Sequence, residues 1–584
     1  MNLSEIPGHT MIKTIVRREP KPGAQFPLGF PEILRRVYAS RGVMSEEELS
    51  YELKHLQKPR LKGLTEALDL LQMALEQQEK ILIVGDFDAD GATSTAVAVR
   101  CLRAMGARRV DYIVPNRFEY GYGLTPEIVD VAAERQPDLI ITVDNGVASF
   151  DGVKRAKALG IKVLVTDHHL PAETLPDADA LVNPNQHGCP FPSKAAAGVG
   201  VIFYVMMALR SRLRSLNWFH EALPEPNLAI HLDIVALGTV ADVVPLDYNN
   251  RILVDQGLKR MRAGQACLGI KALLQVAGRS IEEIQASDLG FVAGPRLNAA
   301  GRLDDMSLGI KCLLADNNSD ALMLARELDA LNRDRRSIEN SMQVEANRWL
   351  EKLEQKEQTL PAGICLYQAD WHQGVIGIVA SRVKDKMHRP VVVFADDGNG
   401  QLKGSGRSIN GIHLRDVLDE IATKTPGLLT KFGGHAMAAG MSLEKNKLDQ
   451  FTQIFAETVE SHLGPKGLEP LIETDGPLTE SELTLAFAGL LQKGGPWGQS
   501  FPEPSFDGEF EIINQKIVGE KHLKLVLAMG GDPNQIFDGI AFNVDLEAWP
   551  NHRAHKVKLV YKLGINEFRG NRTVQLMVDY LEAL

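Results

Sequence analysis

The chain has 584 residues, a formal net charge of -11 and 44% hydrophobic residues. This length exceeds what one hydrophobic core normally serves, so we expect three or four domains. The sequence has neither a charge-free apolar run of the roughly 18 residues that a membrane span needs nor a basic-then-apolar leader, so we expect a cytoplasmic protein. Its 5 cysteines are far apart and lack a CxxC spacing, which argues against a disulfide framework and a structural zinc site.

Residues 1–60 carry scattered basic side chains, among them Arg17-Arg18 and Arg35-Arg36. Two interpretations stay open for this segment: a solvated, partly extended arm, or an extension that faces nucleic acid.

After residue 60 strands and helices alternate, which predicts a parallel sheet with helices on both faces. The predicted strands are residues 81–84, 110–115, 139–143 and 162–166, and the predicted helices are residues 64–78, 97–102, 126–135 and 150–159. Residues 91–96 are interpreted as a loop that opens the second of these helices.

Three of these strands end in acidic loops. Asp86, Asp88 and Asp90 follow the first strand, Asp144 follows the third, and Asp167-His168-His169 follows the fourth. Ligands of parallel sheets bind beyond the carboxyl ends of the strands, and crowded carboxylates are stabilised by a divalent cation. Histidine beside carboxylate suits manganese as well as magnesium. Solvated aspartates in polar loops would not explain three acidic loops at corresponding places, so we predict a Mg²⁺ or Mn²⁺ site.

A fourth acidic segment, residues 230–246, holds Asp233 and Asp242 in an otherwise apolar run. An unpaired carboxylate there would be costly, so one of the two is expected to join the metal cluster. We favour Asp242, which follows a glycine that we interpret as a turn, while Asp233 is expected to cap or pair within a helix.

The second half of the chain predicts a long helix and a small barrel. Apolar residues between Ser319 and Glu354 recur at intervals of three, four and seven, which is typical of one helix. Strand-like alternation separated by turn residues follows, and it predicts a β-barrel. The predicted strands are residues 506–513, 522–529, 536–544, 556–563 and 573–580. A local basic excess suits a surface that binds a nucleic-acid strand: Arg553, Lys556, Lys558, Lys562, Arg569 and Arg572.

The ordered motifs of this chain resemble those of the DHH phosphoesterase superfamily, and more narrowly those of the RecJ single-strand-specific exonucleases. The four superfamily motifs are matched by Asp86–Gly91, Val143–Gly146, Asp167–His169 and Gly238–Asp242. An arginine-bearing motif of RecJ is matched by Gly294–Arg302, and motifs that face the substrate, two of them in the DHHA1 domain, are matched by Trp371–Gly377, Lys403–Ser408 and Gly433–Gly440.

The resemblance implies an α/β architecture in which a parallel-sheet DHH domain is joined by a long connecting helix to an α/β DHHA1 domain and then to an OB-like β-barrel. The expected boundaries are an N-terminal arm at 1–60, the DHH domain at 61–315, the helix at 316–355, the DHHA1 domain at 356–464 and the barrel at 465–584. A groove between the two halves would admit one strand and exclude a duplex.

The resemblance also implies the activity of a metal-dependent exonuclease that degrades single-stranded DNA from the 5′ end to mononucleotides, in recombination and repair. The expected partners are single-stranded DNA, the single-strand-binding protein and a helicase, and the expected oligomeric state is a monomer.

Six side chains are candidate ligands for two ions, which would lie about 4 Å apart and activate water while clamping the phosphate. They are Asp86, Asp88, Asp90, Asp144, His168 and Asp242. By the resemblance Asp144 would bridge the ions and His169 would face the phosphate. Smaller superfamily members carry a histidine where this chain has Val84, a role that Asp86 could take over, so the assignment of carboxylates to ions stays open.

Phosphate recognition is expected from arginines and from glycine-rich backbone. An arginine offers a planar fork to phosphate, although Arg296, Arg302 and Arg407 could instead form salt bridges. Glycines let backbone amides approach an anion, and His435 could contact the substrate or pack in a core. The full set of expected substrate contacts is Arg296, Arg302, His372, Ser405, Arg407, Gly433, Gly434 and His435.

Three other functions were weighed against the exonuclease. A DHH phosphodiesterase for short oligonucleotides or cyclic dinucleotides generally lacks the long helix and the barrel. A haloacid-dehalogenase-like phosphatase would use Asp86 and Asp88 but leaves Asp167-His168-His169 unexplained. An inactive single-strand-binding scaffold would have lost metal ligands, whereas all four motifs are present here.

Overall fold

The computed structural model describes residues 13–116, 120, 122–356, 360–464, 467–519, 521–529, 535–544, 549 and 554–584. Residues 1–12 of the expected arm and Arg553 of the basic set lie outside the described residues. The chain forms two compact units: the first holds Arg17–Asn332 and Glu473–Leu584, and the second holds Arg333–Ile472 with residues 13–16.

The helices and strands are numbered in chain order. The strands are β1 (Thr14–Arg17), β2 (Ile81–Val84), β3 (Val110–Ile113), β4 (Leu139–Val143), β5 (Lys162–Thr166), β6 (Ala180–Val182), β7 (Ile364–Tyr367), β8 (Val391–Asp396), β9 (Gln401–Arg407), β10 (Lys431–Gly434), β11 (Ala438–Glu444), β12 (Leu471–Thr474), β13 (Phe506–Val518), β14 (His522–Ala528), β15 (Ile536–Ala541), β16 (Lys556–Phe568) and β17 (Asn571–Ala583). The α-helices are α1 (Glu32–Ser40), α2 (Leu64–Glu76), α3 (Ala89–Ala104), α4 (Pro126–Ala133), α5 (Phe150–Ala158), α6 (Gly198–Ser215), α7 (Leu232–Ala241), α8 (Tyr248–Arg262), α9 (Leu268–Val276), α10 (Ala286–Asp288), α11 (Gly294–Leu303), α12 (Ser307–Leu314), α13 (Asn318–Lys356), α14 (Ile376–Met387), α15 (Leu414–Lys424), α16 (Leu448–Ser461) and α17 (Leu485–Lys493). A π-helix, Leu289–Ala293, leads into α11.

The first unit contains a parallel sheet with the strand order β3-β2-β4-β5-β6. Alternate residues of β2 enter different cores: Ile81 and Ile83 belong to one, and Leu82 and Val84 to the other. Because both faces are buried, the strand is apolar throughout instead of alternating. The predicted parallel sheet is confirmed, and β6 was missed because three residues carry too little periodicity.

Several local predictions differ from the structure. Helix α3 begins at Ala89, so residues 91–96 are helical and not a loop. Gly238 lies inside α7 and not in a turn, and its missing Cβ is explained by packing, because a Cβ there would meet Thr93 Oγ1 at 2.1 Å.

The segment before residue 61 is packed where the structure describes α1. Ile33, Leu34 and Val37 are buried in the main core. Arg41 forms a buried ion pair with Asp475, with 2.7 Å between Nη1 and Oδ1. A solvated arm therefore does not describe this part of the chain, because its apolar helical face is covered.

The C-terminal part of the first unit is a closed barrel with the order β13-β14-β15-β17-β16, which confirms the predicted strands. β16 and β17 run further than predicted, because Arg569 and Gly570 both have positive φ (53° and 79°) and make a two-residue hairpin turn.

The second unit is built on a mixed sheet with the order β10-β11-β9-β8-β7. β7 and β8 are parallel and the remaining neighbours are antiparallel. Residues of α15 and α16 complete its core. The long helix is confirmed as α13, which has 39 residues and bounds close to the predicted ones. Within the described ranges, no helix combines the length and the apolar character that crossing a bilayer requires.

Candidate metal centre

His168 lies at the centre of an acidic cluster at the carboxyl ends of β2, β4 and β5. Its Nε2 atom is 3.1 Å from Asp144 Oδ1, 3.5 Å from Asp242 Oδ2 and 4.0 Å from Asp90 Oδ2. Asp144 follows β4 directly and has a φ of 62°, an unusual conformation for a residue other than glycine. The parallel register therefore brings together residues that are far apart in sequence.

Three groups of side chains each place possible ligand atoms within 4.8 Å of one another. They are Asp86, Asp88 and Asp144; Asp90, His168 and Asp242; and Asp144, His168 and His169. Asp144 and His168 each belong to two of these groups. All six predicted metal ligands are thus brought together.

The start of helix α3 fixes two of the aspartates. Asp88 is the N-cap residue, and its Oδ1 accepts hydrogen bonds from the backbone amides of Asp90 and Gly91. The carboxylate of Asp90 accepts from the amides of Gly198 (2.6 Å) and Val199 (2.9 Å), at the beginning of α6. Backbone amides at a helix N-terminus stabilise negative charge, so α6 holds this carboxylate in place.

Glycines make the close packing of the cluster possible. A Cβ at Gly198 would lie 2.7 Å from Asp144 Oδ1, and one at Gly238 would lie 3.0 Å from Asp90 Oδ1. Any larger residue at these positions would displace a carboxylate of the cluster.

Burial and mutual repulsion destabilise these carboxylates as anions. Burial, followed by the charge of Asp88, raises the pKa of Asp90 to about 7. Burial and the charges of Asp90 and Asp88 raise the pKa of Asp144 and of Asp242 well above the ordinary range. Such a site is stable with ionised carboxylates when a cation lies among them.

Unsatisfied oxygens give a direct test of whether a metal fits. Asp144 Oδ1 and Asp242 Oδ2 are buried and accept no hydrogen bond from the residues that the structure describes. In an octahedral ion with metal–oxygen distances of about 2.1 Å, adjacent ligand atoms are about 3 Å apart. The separations of His168 Nε2 from Asp144 Oδ1 (3.1 Å) and from Asp242 Oδ2 (3.5 Å) are near this value, so this donor set fits a hard divalent ion.

Asp167 orients His169, a role that the sequence analysis did not assign. Asp167 Oδ1 is 2.8 Å from His169 Nδ1, and it also accepts from the backbone amides of His168 and His169. Burial would raise the pKa of Asp167, but the hydrogen bond from His169 holds it below the ordinary value. Burial would lower the pKa of His169, but the hydrogen bond to Asp167 raises it to about 8.

Tyr122 is a second residue that the sequence analysis missed. Its hydroxyl is 3.2 Å from the carbonyl oxygen of Asp144 and 3.3 Å from His169 Nδ1. Its side chain is half exposed beside the metal cluster. The only hint in the sequence is that Tyr122 stands between two glycines after strand β3. The sequence does not show that Tyr122 comes back to the carboxyl ends of the strands.

Asp233 does not join the cluster. Its Oδ2 accepts from the amide of Cys267 at 2.6 Å, and its Oδ1 accepts from the amide of Ile234. The preference for Asp242 over Asp233 therefore agrees with the geometry.

The arginine-bearing helix α11 packs on the aspartate loop. A Cβ at Gly301 would lie 1.7 Å from the carbonyl oxygen of Phe87, and Asn298 Oδ1 accepts from the amide of Ala89 at 2.8 Å. Arg296 is buried, and its Nη2 is 2.8 Å from Asp329 Oδ1, so the salt-bridge interpretation fits Arg296 better than a phosphate contact. Arg302 lies in the last turn of α11 and is partly buried.

In the second unit, Ser405 and Arg407 lie near the start of α14. Arg407 Nη1 donates to Ser405 Oγ at 3.0 Å, and a Cβ at Gly377 would lie 2.9 Å from both Arg407 Nη2 and Ser405 Oγ. Burial lowers the pKa of Arg407, and no ion pair to it occurs among the residues described here. Arg407 is half-buried, and a half-buried guanidinium beside a helix N-terminus is suited to hold an anion.

The glycine-rich strands continue this surface across the sheet. Gly433 pairs with Gly440, which pairs in turn with Ser405, so these residues lie in one row over three strands. Gly434 has a φ of 144°, and a Cβ there would lie 2.4 Å from the carbonyl oxygen of Ala438. His435 is exposed, which is not consistent with the packed core histidine that we considered. The Nδ1 atom of His372 accepts from the amide of Gly374 just before α14.

Comparison with known proteins gives three family matches in the same order as the domains. The DHH family N-terminal domain matches residues 80–239, the DHHA1 domain matches residues 361–461, and the RecJ OB domain matches residues 474–580. The single-stranded-DNA-specific exonuclease RecJ of Escherichia coli is 56% identical over 566 residues, which cover 96% of this chain and 98% of that protein. The chain belongs to the RecJ family.

Solved RecJ structures have the same fold and contain the expected kind of metal. RecJ from Thermus thermophilus in complex with Mn²⁺ has a TM-score of 0.77 at 28% identity, and the match covers 98% of this chain and 79% of that one. Its complex with Mg²⁺ has a TM-score of 0.72, with 98% and 78% of the two chains covered. Mg²⁺ or Mn²⁺ is therefore the cofactor of this RecJ chain, in agreement with its oxygen-rich donor set.

Proposed function

We propose that this chain is a metal-dependent exonuclease that degrades single-stranded DNA from the 5′ end and releases mononucleotides, in DNA recombination and repair. The observation that carries the proposal is the cluster of buried carboxylates around His168, whose oxygens on Asp144 and Asp242 lack hydrogen-bond donors among the described residues. RecJ relatives that match nearly the whole chain bear the name of single-stranded-DNA-specific exonucleases.

The metal site would consist of Asp86, Asp88, Asp90, Asp144, His168 and Asp242. When bound, two divalent ions lower the pKa of a coordinated water and offset the charge of the phosphate oxygens. The chain itself supplies the rigid frame: α6 and α3 fix Asp90 and Asp88, and Asp167 fixes the tautomer and the direction of His169. Nε2 of His169, which is 3.4 Å from the hydroxyl of Tyr122, would face the phosphate and donate to it when the ring is protonated.

Phosphate recognition would come chiefly from Arg407, Ser405 and the row that includes Gly433, because a half-buried guanidinium without an ion pair among the described residues favours an anion. Arg302, His372, Gly434 and His435 remain proposed contacts. For Arg296 the ion pair with Asp329 supports a structural role that holds α11 under the aspartate loop.

Further parts of the proposal concern organisation and partners. We assign the DHH domain to residues 61–315, the connecting helix to 316–355, the DHHA1 domain to 356–464 and the barrel to 465–584, in agreement with the order of the family matches. The protein would act as a monomer in the cytoplasm, where a single-strand-binding protein and a helicase would supply its substrate.

Digestion of end-labelled DNA tests this function. Matched single and double strands, labelled separately at each end, are incubated with the chain in Mg²⁺, in Mn²⁺ and in chelator. The proposal predicts metal-dependent release that starts at the 5′ end of single strands and is at least about 100-fold slower on duplex.

Two variants provide the matched comparison. Asp144→Ala removes the carboxylate shared by two ligand groups, and Asp151→Ala removes an exposed aspartate at the start of α5. Release should vanish in the first and persist in the second. Binding without cleavage by the wild-type chain would instead indicate a scaffold, and cleavage of only the shortest oligonucleotides would indicate a small-substrate phosphodiesterase.

A further inference from the structure

A cavity of about 490 Å³ lies in the first unit, between the end of α7, the π-helix, α17 and β16. Its volume is within the range of ordinary ligand sites. Val243 and Phe291 line it, and both are strongly exposed, at 61% and 77%. None of the predicted metal or phosphate contacts lines it, so the proposed function leaves it unexplained.

Val243 and Phe291 both lie in backbone segments of unusual conformation. Val243 has a φ of 61°, which is strained for a β-branched residue, and Phe291 lies in the middle of the π-helix. Strained residues and π-helices both concentrate at functional sites. Their occurrence together at one cavity is a reason to look for a ligand.

The cavity wall is continuous with the metal centre. Val243 immediately follows Asp242, whose Oδ2 is 3.5 Å from His168 Nε2. A Cβ at Gly294 would lie 3.1 Å from Ala241 Cβ, and one at Gly290 would lie 3.3 Å from Val240 Cγ1. The π-helix is therefore packed against the end of α7, the helix that ends at Asp242.

The charges around the cavity select the kind of occupant. Lys493 lines the cavity, is exposed and forms no ion pair with any residue that the structure describes. Asp255 and Glu503 also line it, but both have ion-pair partners: Asp255 pairs with Lys259 at 2.7 Å and Glu503 with Lys562 at 3.3 Å. Arg262 and Lys562 add two more cations to the lining. An exposed aromatic ring beside three cations suits a nucleotide, because its base can stack while its phosphate meets the positive charge.

We propose that Phe291 and Val243 form a stacking subsite for one nucleobase of the bound single strand, next to the metal centre. The inference rests on the proposed function and adds a positioning role to it, in which Phe291 helps to hold the strand and takes no part in bond cleavage.

Steady-state kinetics on a ladder of oligonucleotides tests the subsite. In the wild-type chain, KM should fall at the strand length that first reaches Phe291. In Phe291→Ala, KM for longer strands should rise about tenfold, because stacking on an aromatic residue contributes roughly that much per base. The kcat and the KM for the shortest substrates should stay unchanged, which a general structural defect would not produce.

Substitutions at the same position distinguish stacking from apolar contact. Phe291→Trp should retain the low KM, and Phe291→Leu should not. Leu490→Ala is the matched control, because Leu490 is an exposed apolar residue of α17 that does not line the cavity. Equal KM values for wild type, Phe291→Ala and Phe291→Leu along the whole ladder would overturn the inference while leaving the exonuclease intact.

Photo-cross-linking supplies a readout that needs no variant of Phe291. Oligonucleotides with 5-iodouracil at successive positions are irradiated with the Asp144→Asn chain in Mn²⁺. A cross-link from one position to the π-helix, Leu289–Ala293, is expected. Cross-links confined to other residues, those of α11 included, would overturn the subsite, whereas a wild-type chain that degrades no single strand would overturn the proposed function itself.

Discussion

Nε2 of His168 lies 3.1 Å from Oδ1 of Asp144, although β4 and β5 deliver the two residues from different loops. The contact exists because the strands are parallel neighbours in register, with Val143 opposite Thr166. A histidine nitrogen in the midst of carboxylates at this spacing is the arrangement that a divalent ion requires.

Replacing Asp144 should have opposite effects on activity and on the stability of the metal-free protein. Asp144→Asn should lower kcat by more than about 100-fold, because losing a ligand costs more than losing the partner of a ligand. In chelator, the same variant should raise the free energy of unfolding by about 1–2 kcal/mol, because folding no longer has to bury a carboxyl group that either takes up a proton or stays an unpaired anion.

Thermal unfolding in chelator and in Mn²⁺ measures the second effect, because a bound metal stabilises the folded state. The variant should melt above the wild type in chelator and gain less from Mn²⁺, while Asp151→Asn should behave as the wild type does in both. A lower melting temperature of Asp144→Asn in chelator would contradict this description of the cluster.

Removing the charge of Asp167 should disturb His169 without removing a metal ligand. The carboxylate accepts from His169 Nδ1 and from the amides of Val147, His168 and His169. In Asp167→Asn the amide group cannot accept all of these bonds, so we expect a 10- to 100-fold loss of kcat. Calorimetric titration with Mn²⁺ compares the metal affinity of Asp167→Asn with that of the wild type. An unchanged metal affinity with a reduced kcat agrees with a positioning role, whereas an unchanged kcat rules that role out.

Arg407 and Arg296 should respond differently to substitution. Arg407→Lys should raise KM about tenfold, because a lysine cannot replace the planar contact with phosphate. Arg296→Met should lower the free energy of unfolding by roughly 2 kcal/mol, because Asp329 loses a partly buried partner. Denaturant unfolding and steady-state kinetics on both variants, with Arg415→Lys on the exposed surface of α15 as a control, test this division of roles. A normal KM in Arg407→Lys would exclude Arg407 as a phosphate contact.

His231 should make the protein less stable in acid. Burial, together with Arg100 and Arg260, lowers the pKa of His231 to about 4, whereas the unfolded chain has a value near 6.5. Between these values the unfolded state binds more protons, so stability is lost as the pH falls from about 6.5 towards 4. The loss from this residue is on the order of 3 kcal/mol at its full extent.

The measurement is the free energy of unfolding of the wild type and of each variant over a range of pH. His231→Gln should flatten the acid side of the stability curve, and His220→Gln, at an exposed position, should leave it unchanged. Parallel curves for the wild type and His231→Gln would show that burial of this histidine carries no cost.

Local pattern was sufficient to predict the elements that position the metal centre. β2, β4 and β5 agree with their predicted bounds, because apolar runs ended by an aspartate mark buried parallel strands clearly. Five of the six candidate ligands were proposed for the same reason, since their acidic loops follow these strand ends. Asp242 was proposed because a carboxylate in an apolar run needs a partner, and it lies at the C-terminal end of helix α7.

Long-range contacts explain what the sequence did not predict. The partner of Arg296 is Asp329 on another helix, and Tyr122 reaches Asp144 through a loop whose path no periodicity encodes. Gly238 was wrongly interpreted as a turn residue. A glycine is needed there because Thr93 leaves no space for a Cβ, and this packing contact cannot be seen in the sequence.

Anomalous diffraction of manganese, in crystals of the wild-type chain soaked in Mn²⁺, tests the metal centre most directly. We expect two peaks about 4 Å apart, one near Asp86 and Asp88 and one near Asp90, His168 and Asp242, with Asp144 between them. Peaks at other positions, or no peak at this cluster when the soaked protein degrades single-stranded DNA, would contradict this expectation.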